Sequence, residues 1–182
     1  MKYMTKLIFF DTDCLSSFLW VDSMSLLIQC FPQGFILPRP VYEELKKVPH
    51  FHQKVDGYIQ KGFLEIKDIE SGTIEYRNYV DLVSGRDACV PRIGKGEAAA
   101  IVLAHRFKGI LASNNLSDIS YYIQIFELES LTSASILETM YRKDIIDLQS
   151  AESLWSGMLQ KRRKLPCSTF QDYLDKLEKY PY

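Results

Sequence analysis

The chain has 182 residues, with 22 Lys and Arg against 23 Asp and Glu, so its net charge is −1 with histidine neutral. At roughly 150 residues per domain, this length predicts one compact domain, and 47% hydrophobic with 25% charged residues supplies a core and excludes intrinsic disorder, collagen repeats and coiled coil. A balance so close to zero also excludes a uniformly basic wrapper of duplex DNA, though not a local basic patch.

Leu7-Ile8-Phe9-Phe10 is a short apolar run between polar residues, the pattern of a strand buried on both faces of a parallel sheet. After Asp13 the spacing becomes helical, with Leu15, Phe18, Leu19, Met24, Leu27 and Ile28 three and four residues apart. Asp22 interrupts the apolar stretch from Cys14 to Phe31, which falls short of the ~20 residues of a membrane span. Four apolar residues before Asp11 are too few for a signal-peptide core. Phe35-Ile36-Leu37 is a second strand, closed by Pro38. Pro40 stands where a helix begins, with Val41, Leu45 and Val48 on one face and Glu43 and Glu44 in the first turn.

A further helix over about 52–60 leads to a third strand at Phe63-Leu64-Glu65-Ile66. Between Asp68 and Pro91 the signal weakens, although Ile74, Tyr79 and Leu82 fit a helix. Gly94-Lys95-Gly96 reads as a turn before the strongly helical stretch from Glu97 to Ala104. Gly109 to Ala112 is a fourth strand and Leu128 to Leu131 a fifth, with helices near 117–126, 133–142, 150–161 and 169–178. Regular alternation of this kind predicts an α/β fold: a three-layer α/β/α sandwich around a central, mainly parallel five-stranded sheet. Residues 1–149 carry that sheet, and 150–182 read as a C-terminal helical extension packed on the same domain.

Cys14, Cys30, Cys89 and Cys167 form no Cys-x-x-Cys pair and read as buried thiols of a reducing compartment, which points to the cytoplasm. His50, His52 and His105 have no spacing to carboxylates that suggests a site and read as surface or loop residues.

Ligands of open α/β sheets sit beyond the carboxyl ends of the strands. Asp11 directly follows the first strand there, and Ser113-Asn114-Asn115 follow the fourth. Glu44 lies early in the helix after the second strand, and Glu97 opens the helix after the glycine turn. Carboxylates about 4 Å apart repel by about 4 kcal/mol per pair at an effective dielectric near 20. A hard cation such as Mg2+ or Mn2+ relieves that repulsion, polarises a phosphoryl oxygen and generates a water nucleophile. Each residue also has a structural reading. Asp11 caps a helix, Glu44 and Glu97 favour the dipole of a first turn, and Asn114 and Asn115 serve as turn and cap residues.

The motifs Phe9-Phe10-Asp11-Thr12-Asp13, Pro40-Val41-Tyr42-Glu43-Glu44-Leu45, Gly94-Lys95-Gly96-Glu97-Ala98 and Leu111-Ala112-Ser113-Asn114-Asn115 together resemble the PIN-domain family of metal-dependent ribonucleases, which includes VapC-like toxins of toxin–antitoxin pairs. The resemblance runs from Leu7 to about Gln149, and the C-terminal helices look like a PIN subgroup with an extended tail. It implies a PIN-like, 5'-nuclease-like fold. Asp11, Glu44 and Glu97 take the places of the metal-site acids, and Thr12 orients the Asp11 carboxylate. Glu44 is preferred to Glu43 because the family pattern puts the acid three residues after the valine, here Val41.

The fourth motif departs from the family pattern. Where PIN nucleases show one or two aspartates after Thr or Ser, this chain has Asn114 and Asn115, whose amide oxygens bind Mg2+ without contributing charge. Asp118, one helical turn beyond Asn115, and Asp13 are the candidates to compensate. The implied site is therefore Asp11, Glu44, Glu97 and Asp118 as catalytic acids, joined by Asn115 around the ion, with Thr12, Asp13, Ser113 and Asn114 in support.

Lys161-Arg162-Arg163-Lys164 is a dense basic run, either a solvated helix end or a phosphate clamp for RNA. The eleven Tyr and ten Phe are dispersed and mostly suit a core. Tyr121-Tyr122 and Tyr180-Pro181-Tyr182 fit stacking on bases or a protein partner surface. Two functions follow: a PIN-type endoribonuclease, with an RNA substrate, an antitoxin protein and a homodimeric second copy as partners and no membrane, or a PIN-like scaffold of weakened or lost catalysis that binds RNA or protein.

Overall fold

The computed structural model describes residues 6–85 and 92–179; Cys89 and Tyr180-Pro181-Tyr182 lie outside them. In chain order the elements are β1 (Ile8–Phe10), α1 (Thr12–Trp20), α2 (Met24–Cys30), β2 (Phe35–Pro38), α3 (Arg39–Leu45), α4 (Pro49–Gln60), β3 (Leu64–Lys67), α5 (Ile74–Ser84), α6 (Lys95–Arg106), β4 (Ile110–Ala112), α7 (Ser120–Ile125), β5 (Glu129–Leu131), α8 (Ser133–Arg142), α9 (Leu148–Gln160) and α10 (Phe170–Lys179). The five strands pair in parallel in the order β3-β2-β1-β4-β5. This is the α/β/α sandwich expected from the alternation of strands and helices. Among the described residues no helix is long and apolar enough to cross a membrane.

The pleat divides the strand residues between two cores. Ile8, Phe10, Phe35, Leu37, Ile110 and Ala112 face a core completed by α1, α2, α8, α9 and α10, whereas Phe9, Ile36 and Leu111 face one built with Ala98, Ile101, Leu82 and Tyr122 of α6, α5 and α7. The near-continuous apolar strands follow from this burial on both sides. Trp155 of α9 and Phe170 of α10 belong to the first core with their rings 5.5 Å apart, so the last two helices share the interior of the sheet.

Several local expectations change. The apolar stretch after Asp13 forms two helices, because Asp22 turns the chain at φ 52 between α1 and α2. Helix α4 starts earlier than periodicity suggested, with Pro49 at its first position. Lys95 and Gly96 are already helical, and Gly94 is the cap. The helix expected near 117–126 shrinks to α7, preceded by a turn. Glu44 stands in the second turn of α3 rather than the first, so its placement has no dipole explanation. Cys14 and Cys30 are buried, but Cys167 is only half-buried. Of the three histidines, His50 and His105 are exposed and His52 half-buried, so they are surface residues as expected, though carried by helices rather than loops, and His52 Nε2 sits 3.1 Å from Asp56 Oδ2 one turn away.

Gly109 enters β4 where no side chain fits. A Cβ there would lie 2.5 Å from Phe9 Cε2 and 2.6 Å from the Leu7 carbonyl oxygen, the same oxygen that accepts from Ile110 N at 2.9 Å. Gly109→Ala is therefore expected to lower unfolding stability by about 1–3 kcal/mol, read as a lower midpoint in urea. An unchanged midpoint would contradict the tight β1–β4 packing.

Candidate functional site

Strand order reverses direction about β1, so the crevice between the carboxyl ends of β1 and β4 is the topological switch point. Asp11 opens it: its backbone N–H donates to Ala112 O at 2.9 Å, and beside it Ser113 N donates to Leu131 O at 2.9 Å. The Asp11 side chain does cap α1, with Oδ1 accepting from Cys14 N at 2.7 Å. Capping does not account for its electrostatics. Burial pushes its pKa up to about 7 against hydrogen bonds from Ser113 and the Cys14 amide, and the charges of Asp13 and Glu97 push the same way. The capping bonds alone would hold the carboxyl low, and burial outweighs them. Burial and the nearby Asp11 charge also push the Cys14 thiol up, which makes it inert as a nucleophile.

Thr12 acts on a different acid from the one expected. Its hydroxyl donates to Glu44 Oε2 rather than to Asp11, because as the first residue of α1 it faces α3, while Asp11 is already held by Cys14 and Ser113. Glu43 is exposed and Glu44 half-buried, in keeping with the choice between the two. Gly96 supplies the room: a Cβ there would lie 3.0 Å from Thr12 Oγ1, 3.1 Å from Glu44 Oε2 and 3.2 Å from Val41 Cγ2. The glycine of the third motif is thus what lets α6 approach α3.

Glu97, the third residue of α6, reaches back to Gly94 N with Oε2 at 3.3 Å, a helix-start contact. Its other oxygen accepts from Asn115 Nδ2 at 2.9 Å. Asn115 is placed by its own backbone, whose N–H donates to Ser113 Oγ at 3.2 Å. An aspartate at this position would repel Glu97, whereas the amide binds it.

The remaining predicted residues fall into two groups. Asn114 is structural: Nδ2 donates to Ser17 Oγ at 3.3 Å and Oδ1 accepts from Ser133 N at 2.8 Å, tying α1 to the start of α8. Asp118 is exposed, accepts from Ser117 Oγ at 3.2 Å and has no bond to the other acids among the described residues. Asp13 takes Arg163 Nη1 at 2.8 Å, and Arg163 also donates to Ser16 Oγ at 3.3 Å. The basic run is accordingly divided. Arg163 is paired at the acidic edge, Lys161 Nζ lies 5.0 Å over the Trp20 ring, and Arg162 and Lys164 are exposed. Nothing in the sequence signals the Asp13–Arg163 pair, whose partners are 150 residues apart.

In donor chemistry the edge suits a hard cation. Asp11, Glu44 and Glu97 offer carboxylate oxygens, and the ionised form of a buried Asp11 needs a positive neighbour. In arrangement, Thr12–Glu44 and Asn115–Glu97 are separate pairs, and the charge of Glu97 reaches Asp11. Among the described residues no three His, Cys, Asp or Glu side chains converge as a ready-made cage. A family model described as a PIN domain matches residues 7–179. No curated protein matches the chain.

Proposed function

The chain belongs to the PIN-domain family, whose members are generally nucleases, and from that premise we propose that it is a divalent-metal-dependent endoribonuclease hydrolysing RNA phosphodiester bonds. The observation that carries this reading is Asp11: a carboxyl 1% exposed, pushed up to about 7 and sensing the charge of Glu97, at the switch point of the sheet. A buried acid beside a second acid is a common feature of a functional site and a poor structural choice.

Asp11, Glu97 and Glu44 would hold Mg2+ or Mn2+, with Asn115 giving a neutral oxygen. When bound, the ion supplies charge to a phosphoryl oxygen and acidifies a water. The chain's own residues orient the acids: Cys14 N and Ser113 fix Asp11, Thr12 fixes Glu44, and Asn115 with Gly94 N fixes Glu97. Arg163 offsets the charge of Asp13, so the excess negative charge is concentrated on Asp11 and its neighbours.

The test is cleavage of mixed RNA by the purified chain with Mg2+ or Mn2+, beside Asp11→Asn and Glu97→Gln. Cleavage that needs the ion and both acids is expected. Metal-independent cleavage, or none, overturns the enzyme. In that event the second reading, a PIN-like scaffold of weakened catalysis, gains the feature that favours it: a neutral Asn115 donates to Glu97 where the family pattern has an aspartate. A toxin role would add a small antitoxin protein masking the acidic edge, seen as a co-purifying partner that suppresses cleavage.

Gly96→Ala separates site from scaffold. An alanine at the second position of α6 gains part of the ~1 kcal/mol that separates the two residues in a helix interior, which offsets the crowding of Val41. Its methyl group pushes directly on Thr12 Oγ1 and Glu44 Oε2. Thermal stability within about 1 kcal/mol of the parent is expected, with metal-dependent cleavage down roughly tenfold, the scale of a displaced outer-shell partner. Equal cleavage would remove Glu44 from the site.

A further inference from the structure

A cavity of about 310 Å3 adjoins the acidic edge, lined by Asn114 after β4, Thr132 and Ala134 at the start of α8, Lys164 and Leu165 of the turn before α10, and Tyr173 of α10. The lower end of the range for small-molecule sites is ~300 Å3, so it has room for one nucleotide and not for a folded peptide. Its position is fixed by contacts already described. Arg163, next to Lys164, is bonded to Asp13 and Ser16 of α1, and Asn114 follows the strand that delivers Ser113. The turn that walls the cavity is thereby held against the catalytic edge.

The lining has the balance of a nucleotide site. Leu165, Pro166 and Ala134 provide apolar surface, and the Tyr173 ring is held at 5.4 Å from Trp155. Both ends of the Asn114 amide are engaged by Ser17 and Ser133 N, and Thr132 Oγ1 accepts from Ser135 N. Lys164 is in no ion pair among the described residues and is the one charged group of the lining. Two other cavities mix charges: Glu65, Asp68, Glu70 and Glu75 outnumber Lys67 and Arg106 in one of about 300 Å3, and Glu75, Glu127 and Glu129 stand with Lys6, Arg106 and Lys108 in one of about 480 Å3, at the amino ends of the strands and so at the edge opposite Asp11.

We infer that this cavity binds a single nucleotide of the RNA strand next to the scissile phosphate, with the base against Leu165, Pro166 and Ala134 and the phosphate on Lys164. This rests on the RNA-cleaving reading above for its role, but the binding is separately measurable.

The full-length, 15N-labelled chain is titrated in EDTA with UMP, CMP, AMP and GMP singly, and with inorganic phosphate. Saturable shifts at the amides of 132–134, 164, 165 and 167 are expected, stronger for the nucleotides than for phosphate. Lys164→Glu, at an exposed position, should weaken binding at least tenfold. Shifts confined elsewhere, equal affinity in Lys164→Glu, or phosphate binding as tightly as every nucleotide would overturn the subsite. A chain that cleaves RNA but fails this titration loses the subsite alone. One that binds nucleotides here without cleaving RNA keeps the subsite and loses the enzyme.

Discussion

Asn115→Asp is expected to destabilise the metal-free protein by about 2 kcal/mol, the scale of losing a hydrogen bond to a charged group, and to recover that loss when Mg2+ or Mn2+ is added. The wild-type amide donates to Glu97 Oε1 at 2.9 Å. The aspartate removes that bond and sets two carboxylates against each other, with a buried Asp11 nearby that already senses the charge of Glu97. Repulsion at this separation is of the order of several kcal/mol at most, reduced here because Glu97 is only half-buried. The added charge is what a cation answers. At a concentration one hundred times its dissociation constant, a ligand that binds only the folded form restores about 2.7 kcal/mol. Thermal melts with EDTA and with each metal give the measurement, and cleavage in the same buffers should rise above wild type. A variant as stable as the parent without metal, and unmoved by metal, would show that Asn115 and Glu97 do not share an ion site.

The sequence made the three inner strands legible because each is apolar on both faces and each is followed by a break: Asp11 after Phe10, Pro38 after Leu37, Ser113 after Ala112; the edge strands β3 and β5 carry Glu65 and Glu129 and are legible on one face only. The position of Asp11 was legible for the same reason, since a polar residue directly after a buried strand must emerge at the carboxyl edge, whereas Glu44 and Glu97 lie within helices and only the motif pattern singles them out. Pair identities were not legible. Thr12 is adjacent to Asp11 in the chain, which suggests that they act together, yet the start of α1 turns its hydroxyl onto Glu44 32 residues away. Asn114 and Asn115 look equivalent as a dipeptide, but successive residues point in different directions, so one ties α1 to α8 and the other reaches Glu97. The basic run looked like one patch because charge is read along the chain. Arg162 in the left-handed region, at φ 57, turns the chain and sends its neighbours to Trp20, Asp13 and the cavity in turn.

Asp11→Asn should make the protein more stable at neutral pH while abolishing cleavage, and the pH dependence of that gain identifies its cause. The native Asp11 carboxyl titrates at about 7 against an ordinary value of 3.8, chiefly through burial. Below about pH 4 both folded and unfolded chains hold the proton, and the group contributes nothing to pH dependence. Between about 4 and 7 the unfolded chain releases it and the folded chain keeps it, so native stability falls as pH rises, and above 7 the full penalty is present. Three units at 1.36 kcal/mol each put that penalty on the order of 4 kcal/mol. The carboxylate of Asn115→Asp would add to it; the amide of Asp11→Asn removes it, because a neutral group does not ionise. Urea midpoints in EDTA should therefore separate between pH 4.5 and 7.5, with the variant gaining on wild type as pH rises. Added Mg2+ should close the gap from the wild-type side by pulling the Asp11 proton off. Cleavage by the variant should fall at least ~100-fold, the scale of losing one well-placed electrostatic group. Parallel midpoints for the two proteins across this range would mean that Asp11 is an ordinary helix cap, and the metal site would lose its central residue.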